Sequence, residues 1–197
     1  MKDFVWADFY KVTKDNPHWP LLEKAVLLSG QRGYALDLGC GAGRDTRYLL
    51  AQGWSARAVD SDPNAIALLA ELAQDNLQVV QSSFENFAFE HEAYDLISAQ
   101  FSLPFIPQAS FNRVFTQLKQ AIKAGGIFTG QFFGVRDEWN RPKNDMTFLA
   151  REQVEELLSD MKVIEFTEED KMGNTAAGVL KHWHVFHVIA QKGTIRS

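Results

Sequence analysis

Three glycines at alternate positions, Gly39, Gly41 and Gly43, follow an acidic residue in the run Ala35-Leu36-Asp37-Leu38-Gly39-Cys40-Gly41-Ala42-Gly43. The run lies between an apolar strand pattern, Tyr34 to Leu38, and a helical one that starts at Ala42 and places Thr46, Leu49 and Leu50 at helical spacing until Gly53. A strand that turns into a helix over so few residues needs positions without a Cβ, so that the chain can bend sharply and its backbone can approach a ligand. The N–H groups and the positive dipole end of the following helix favour an anionic group, and the carboxylate of an amino-acid-like ligand qualifies as well as a phosphate. Asp37 narrows the choice. A carboxylate beside the glycines repels a pyrophosphate but suits a ligand that carries an ammonium and a sulfonium. The dinucleotide pattern also wants its third glycine where this chain has Arg44, which disfavours a nicotinamide dinucleotide. The competing reading is a glycine turn that serves only tight strand–helix packing.

The elements that must hold this turn alternate along the chain. Ala56 to Val59 is a second strand pattern, followed by a helix from Pro63 with Ile66, Leu69, Ala70 and Ala73 on one face. Leu77 to Val80 and Tyr94 to Ala99 are a third and a fourth strand. Phe111, Val114, Phe115, Leu118 and Ile122 form a helical stripe that Gly125-Gly126 is expected to end. Ile127 to Phe133 reads as a fifth strand, Val154, Leu157, Leu158 and Met161 as a helix face, Val163 to Phe166 as a sixth strand and Trp183 to Ala190 as a seventh. Strands that take turns with helices imply an α/β fold with a mostly parallel sheet covered on both sides. Between the last two strands, Glu168 to Leu180 has turn-formers at Gly173-Asn174 and no helical pattern. A parallel crossover is therefore ruled against, and the seventh strand is expected to run antiparallel beside the sixth. Two stretches fit no strand–helix step: Met1 to about Gly30, and Gly134 to Ala150, whose length suits a lid or binding loop.

Composition excludes several classes. The 197 residues, 46% hydrophobic and 23% charged, suit one globular domain over 1–197, with 1–30 as an N-terminal lid or docking segment and 31–197 as the core. Twenty Lys and Arg against 25 Asp and Glu leave a net charge of −5, so no bulk positive field is available to hold a nucleic-acid backbone. Cys40 is the single cysteine, which allows neither an intramolecular disulfide nor a multi-cysteine metal site and favours a reducing, cytoplasmic setting. No metal ligand set is expected. Met1 to Tyr10, with Lys2, Asp3 and Asp8 among aromatics, resembles neither a signal peptide nor a lipid anchor, and no apolar run suits a membrane span.

Leu36 to Gly43 resembles motif I of the class I S-adenosylmethionine-dependent methyltransferases, an acidic residue followed by Gly-x-Gly-x-Gly after the first strand. The resemblance implies a Rossmann-like three-layer sandwich, a mostly parallel seven-stranded sheet with the last strand antiparallel, and S-adenosyl-L-methionine as cofactor. Asp37, Gly39, Cys40, Gly41 and Gly43 fall on the motif. Asp60 falls where the family places an acidic residue at the end of the second strand that accepts from both ribose hydroxyls. Its other reading is the cap of the helix at Pro63, a role that suits Asp62 better. Ser61 follows as a neighbouring contact. Val79 to Phe84 resembles the loop that borders adenine, with Ser83 where the family commonly has Asp and Phe84 beside it. Tyr94 to Phe101 resembles motif IV without the Asn/Asp-Pro-Pro-Tyr sequence of amino-methylating nucleic-acid enzymes, and places Gln100 at the methyl side. Arg44 is expected to reach the cofactor carboxylate or else to be a solvated helix residue. The architecture is similar to small bacterial methyltransferases of the tellurite-resistance and thiopurine type.

Methyl transfer from a sulfonium needs alignment and exclusion of water rather than a covalent intermediate, and a base only where the acceptor loses a proton. His182 and His184, on one face of the seventh strand, and Tyr10 are the candidates, against a local structural role for the histidines. The aromatic N-terminal segment, Trp6, Phe9, Tyr10, His18 and Trp19, suits either a lid over a small acceptor or simple docking on the core. Arg136, Trp139 and Arg141 suit an anionic acceptor or a solvated loop. Two functions stand: a methyltransferase acting on a small molecule, and a domain of that fold that binds cofactor or a protein partner without catalysis.

Overall fold

The computed structural model describes residues 6–72 and 74–193. The expectations for Lys2 and Asp3 at the chain start, and for Ala73 on a helix face, lie outside the described residues. In chain order the elements are α1 (Trp6–Thr13), α2 (Pro20–Ser29), β1 (Tyr34–Leu38), α3 (Arg44–Ala51), β2 (Ser55–Asp60), α4 (Pro63–Ala70), β3 (Leu77–Gln81), β4 (Tyr94–Ala99), α5 (Gln108–Ala121), β5 (Ile122–Gly134), β6 (Phe148–Leu149), α6 (Arg151–Leu157), β7 (Met161–Asn174) and β8 (Leu180–Lys192). The strands form one sheet in the order β3-β2-β1-β4-β5-β8-β7, with β6 paired to β5. β1 to β5 run parallel, and β8 lies antiparallel between β5 and β7.

The two-residue period of a strand divides the core into two layers. Leu36, Ile97, Phe128 and Val188 face a cluster closed by Phe111, Val114, Phe115 and Leu118 of α5 and by Val154 of α6. Their neighbours Ala35, Leu96, Ile127 and Ile189 face the opposite cluster, with Leu22 and Ala25 of α2 and Leu49 of α3. Helices thus cover both faces, and strands buried on both sides read as continuous apolar runs. Because β1 is followed outward by β2 and β3, while β4 returns to its other side, the strand order reverses between β1 and β4. The crevice beyond the carboxyl ends of these two strands is where an open α/β sheet takes its ligand.

Four details depart from the sequence reading. The sheet gains β6, a two-residue strand inside the stretch 134–150. α5 stops at Ala121, and Ile122 already belongs to β5 opposite Tyr94. Gly125, at φ +79°, lies in the irregular segment between the Tyr94–Ile122 and Leu96–Ile127 pairs and does not cap the helix. β7 and β8 are far longer than expected, and their connection turns at Thr175 to Gly178 instead of Gly173-Asn174, closed by the Thr175 N–H to the Val179 carbonyl at 2.8 Å. β7 is an edge strand whose side chains are largely exposed, so charged residues replace the apolar signal while the backbone ladder to β8 holds it. In the N-terminal segment the break at Asp15-Asn16-Pro17 separates two helices with different tasks: α2 is buried in the core, whereas α1 packs on Ala42 and Ala65. No helix among the described residues is long and apolar enough to cross a membrane.

Candidate active site

The glycine turn is built by its neighbours. Gly39, Gly41 and Gly43 have φ of 79°, 50° and 78°, a backbone region that favours glycine. A Cβ on Gly39 would stand 2.3 Å from that of Ser102, one on Gly43 2.5 Å from Cδ2 of Leu69, and one on Gly41 3.3 Å from the Tyr10 ring. The glycines therefore admit α4, α1 and the segment after β4 as well as any ligand. The N–H groups of Gly39 and Cys40 donate to the Val59 carbonyl at 2.8 and 3.1 Å, and that of Gly41 donates to Oδ2 of Asp60 at 2.9 Å. The other Asp60 oxygen accepts from the Asp62 N–H at 2.9 Å. Asp62, not Asp60, caps α4 by accepting from the Asn64 N–H at 2.8 Å.

A cavity of about 880 Å³ opens at this turn. Gly39, Cys40, Gly41, Arg44, Asp60, Ser61, Ser83, Phe84, Gln100 and Tyr10 all border it. Four of the sequence candidates do not. Gly43 packs against Leu69. Asp37 is buried beneath the turn and accepts from the Thr46 hydroxyl at 2.5 Å, tying β1 to the first turn of α3. Burial, and then the carboxylate of Asp45, push its pKa up to about 7. His182 and His184 share a strand face, but it is the face turned from the cavity. His184 is buried against Glu168, at 2.8 Å, and the Arg136 guanidinium; His182 bonds the Arg136 carbonyl and Asp170. The opposite face of β8 brings Trp183, Val185 and His187 to the cavity, and burial lowers the His187 pKa. Tyr10 cannot serve as a base at neutral pH: burial and the nearby Asp60 and Asp62 carboxylates drive its phenol far above its ordinary range, so it stays a donor.

Arg44 opens α3 and lies over the Trp19 ring. Its Nε is buried without a hydrogen-bond partner and meets Asp45 only at 3.9 Å. Gln100 is held in a polar chain across β4 and β5: its Nε2 reaches the Ser98 and Thr129 hydroxyls at 3.2 and 3.3 Å, and its Oε1 accepts from Gln131 at 2.9 Å. Gln131 in turn accepts from the Phe101 N–H at 2.8 Å, fixing a non-glycine residue at φ +53°. That strained backbone sits at the mouth of the crevice.

The stretch 134–150 sends only Trp139 to the cavity. Arg136 pairs with Asp170 at 2.6 Å and Glu168 at 2.8 Å, and Arg141 with Glu138 at 3.1 Å, so of the two alternatives for these arginines the structure favours the solvated loop. Glu168, Asp170 and His184 are spaced to hold a metal ion, but the Arg136 guanidinium already occupies the position of the cation. Phe105, Phe133 and the tip of the β7–β8 hairpin, not singled out from the sequence, border the cavity, as do Phe101, which ends the motif IV resemblance, and Trp183 and His187 of the strand segment that holds the histidine candidates. The same two-residue period that grouped His182 with His184 would have grouped Trp183, Val185 and His187.

Residues 35–126 match the family described as Methyltransferase domain. The probable S-adenosyl-L-methionine-dependent methyltransferase TehB of Haemophilus influenzae is 26% identical over 153 residues, 77% of this chain and 53% of that protein. The crystal structure of TehB from that organism has a TM-score of 0.77 at 22% identity, over 93% of this chain and 65% of the other. Trans-aconitate 2-methyltransferase of Escherichia coli is 32% identical over 135 residues, 68% of this chain and 50% of the relative. Burkholderia thailandensis 1,6-didemethyltoxoflavin-N1-methyltransferase, solved with 1,6-didemethyltoxoflavin and S-adenosylhomocysteine bound, has a TM-score of 0.71 at 21% identity, over 96% of this chain and 81% of that one. The chain spans about half the length of the curated relatives it matches.

Proposed function

We propose that this chain, whose residues 35–126 match a methyltransferase domain, binds S-adenosyl-L-methionine in the cavity and passes its methyl group to a small molecule. The observation that carries this reading is the meeting, at one crevice, of an acceptor-only carboxylate, a glycine turn and an arginine with an unsatisfied Nε. Each answers one part of the cofactor. Asp60 keeps free lone pairs on both oxygens for the ribose hydroxyls. The turn and the first turn of α3 take the amino-acid end, with Arg44 for its carboxylate. Ser83 and Phe84 border the adenine, and Ser61 and Gln100 complete the contacts. Asp37, out of contact with the cavity, accepts from the Thr46 hydroxyl and so holds the first turn of α3; in its ionised form it would favour a cationic group at the turn.

When bound, the cofactor would supply a methyl group on a sulfonium, transferred in line to the acceptor as the carbon–sulfur bond breaks and a neutral thioether leaves. The chain's own work is to align and to exclude water. Gln131 fixes Phe101, α1 covers the turn through Tyr10, and His187 takes the proton that an oxygen or nitrogen acceptor gives up. The net charge of −5 supports a small acceptor over a nucleic-acid backbone, and a single buried Cys40 supports a cytoplasmic setting.

Calorimetry with S-adenosylhomocysteine and NAD tests the reading. S-adenosylhomocysteine should bind and NAD should not, and Asp60→Ala should weaken the former by about 1.5–3 kcal/mol, the range for a lost charged hydrogen-bonding group. Unchanged affinity in a folded Asp60→Ala variant, or preference for NAD, would overturn it.

A further inference from the structure

Away from the glycine turn the cavity wall is made of rings. Trp19, Phe101, Phe105, Phe133, Trp139 and Trp183 all border it. They contact one another: Phe101 lies 4.5 Å from Trp19 and 6.2 Å from Phe133, and Trp139 lies 5.5 Å from Trp183 and 6.5 Å from Phe105, between ring centres. Rings locked by mutual tilted and edge-to-face contacts form a fixed apolar surface, which suits a flat ligand at little cost in ordering.

The cavity offers few cations to an acceptor. Among the described residues bordering the cavity, the permanent cations are Arg44, at the glycine turn, and Lys171, which pairs with Glu169 at 3.0 Å. Lys181 stands 3.8 Å from the centres of both the Trp139 and Trp183 rings, but it is buried behind them and ion-paired to Asp137. Its charge is therefore spent on the ring wall and its own partner. An acceptor bearing carboxylates would lose water without gaining an unpaired cation, an uncompensated burial that proteins avoid.

We propose that the acceptor is a planar, uncharged aromatic or heteroaromatic small molecule stacked within this ring wall, and that polycarboxylates of the trans-aconitate kind are excluded. This rests on the methyl-transfer reading for the name "acceptor", but the binding surface itself does not. His187, 6.1 Å from Phe101 between ring centres, gives such a ligand a hydrogen-bonding partner at the edge of the wall.

The test is a binding measurement on the intact protein saturated with S-adenosylhomocysteine, using quinoline and indole as planar probes and trans-aconitate as the anionic one, read by tryptophan fluorescence and calorimetry. The planar probes should bind at least tenfold more tightly than trans-aconitate. Phe105→Ala and, separately, Trp139→Leu should each weaken the planar probes several-fold and leave the affinity for S-adenosylhomocysteine unchanged within twofold, which also shows that the variants are folded. Trans-aconitate binding as tightly as the planar probes, or no saturable binding of either planar probe, would overturn the proposal. Planar probes that bind to a protein with no affinity for S-adenosylhomocysteine would leave the ring site standing and remove the methyl-transfer reading.

Discussion

The guanidinium of Arg44 lies 4.3 Å above the ring of Trp19, while Asp45, the next residue, accepts the Trp19 backbone N–H at 2.9 Å. The first turn of α3 thereby grips the residue that precedes α2, and the side chain assigned to the cofactor carboxylate is held from behind by an indole. Arg44→Ala should weaken S-adenosylhomocysteine binding by about 1.5–3 kcal/mol, as for a lost charged hydrogen bond. Trp19→Ala should cost about 1 kcal/mol through the lost stack. The double variant should lose less than the sum, because Trp19 acts through Arg44. Fully additive losses, measured by calorimetry, would show that Trp19 touches the ligand independently.

Asp37 gives the ligand-free protein a particular pH dependence. Its folded-state pKa is raised from 3.8 to about 7, so the native state holds a proton that the unfolded chain has released between those values. The stability it contributes is full below the unfolded value and is lost as pH rises toward 7. Denaturant unfolding of the ligand-free protein at several pH values should therefore show the wild type losing stability over this window relative to Asp37→Asn, which cannot ionise. Parallel curves for the two proteins would place the carboxylate's pKa in the ordinary range.

Cofactor should order α1 and leave α2 alone. Trp6, Phe9 and Tyr10 of α1 border the cavity, whereas Leu22 and Ala25 of α2 are buried in the core beside Ala35 and Ile127. Hydrogen exchange should slow in α1 when S-adenosylhomocysteine is added, with α2 strongly protected throughout. Equal protection of α1 in both states would make it a fixed part of the wall.

His187 should limit turnover at low pH. Burial keeps its imidazole below the usual value of 6.5, so the neutral form prevails at pH 7 and is lost as pH falls through the lowered pKa. With an acceptor that loses a proton, His187→Gln should reduce kcat roughly 10²-fold with a smaller change in KM, the scale of general-base assistance. His182→Gln, on the other strand face, should leave both unchanged. A pH profile of kcat that is the same in wild type and His187→Gln would assign the proton to solvent.

What could be read from the chain alone follows from local constraints. The turn at Gly39 to Gly43 shows because left-handed backbone and close neighbours leave few residue types open. The cap at Asp62 shows because Pro63 marks the first helical position. Alternating apolar periods reveal five parallel strands, and the lack of a helix between Glu168 and Leu180 is enough to reverse the last one. Tertiary structure decided the rest. His-Trp-His-Val-Phe-His carries polar and aromatic residues on both faces of β8, and both faces are covered, so no pattern says which one meets the cavity; only the antiparallel pairing of β8 between β5 and β7 turns His187 toward the cavity and buries His184 on the other face. The same holds for charge: Arg136 and Lys181 look available in the sequence, and their partners, Asp170 and Asp137, stand 34 and 44 residues away along the chain. Periodicity and backbone strain act over a few neighbouring residues, whereas a site's charge balance and the face it shows are set by packing between segments far apart in sequence.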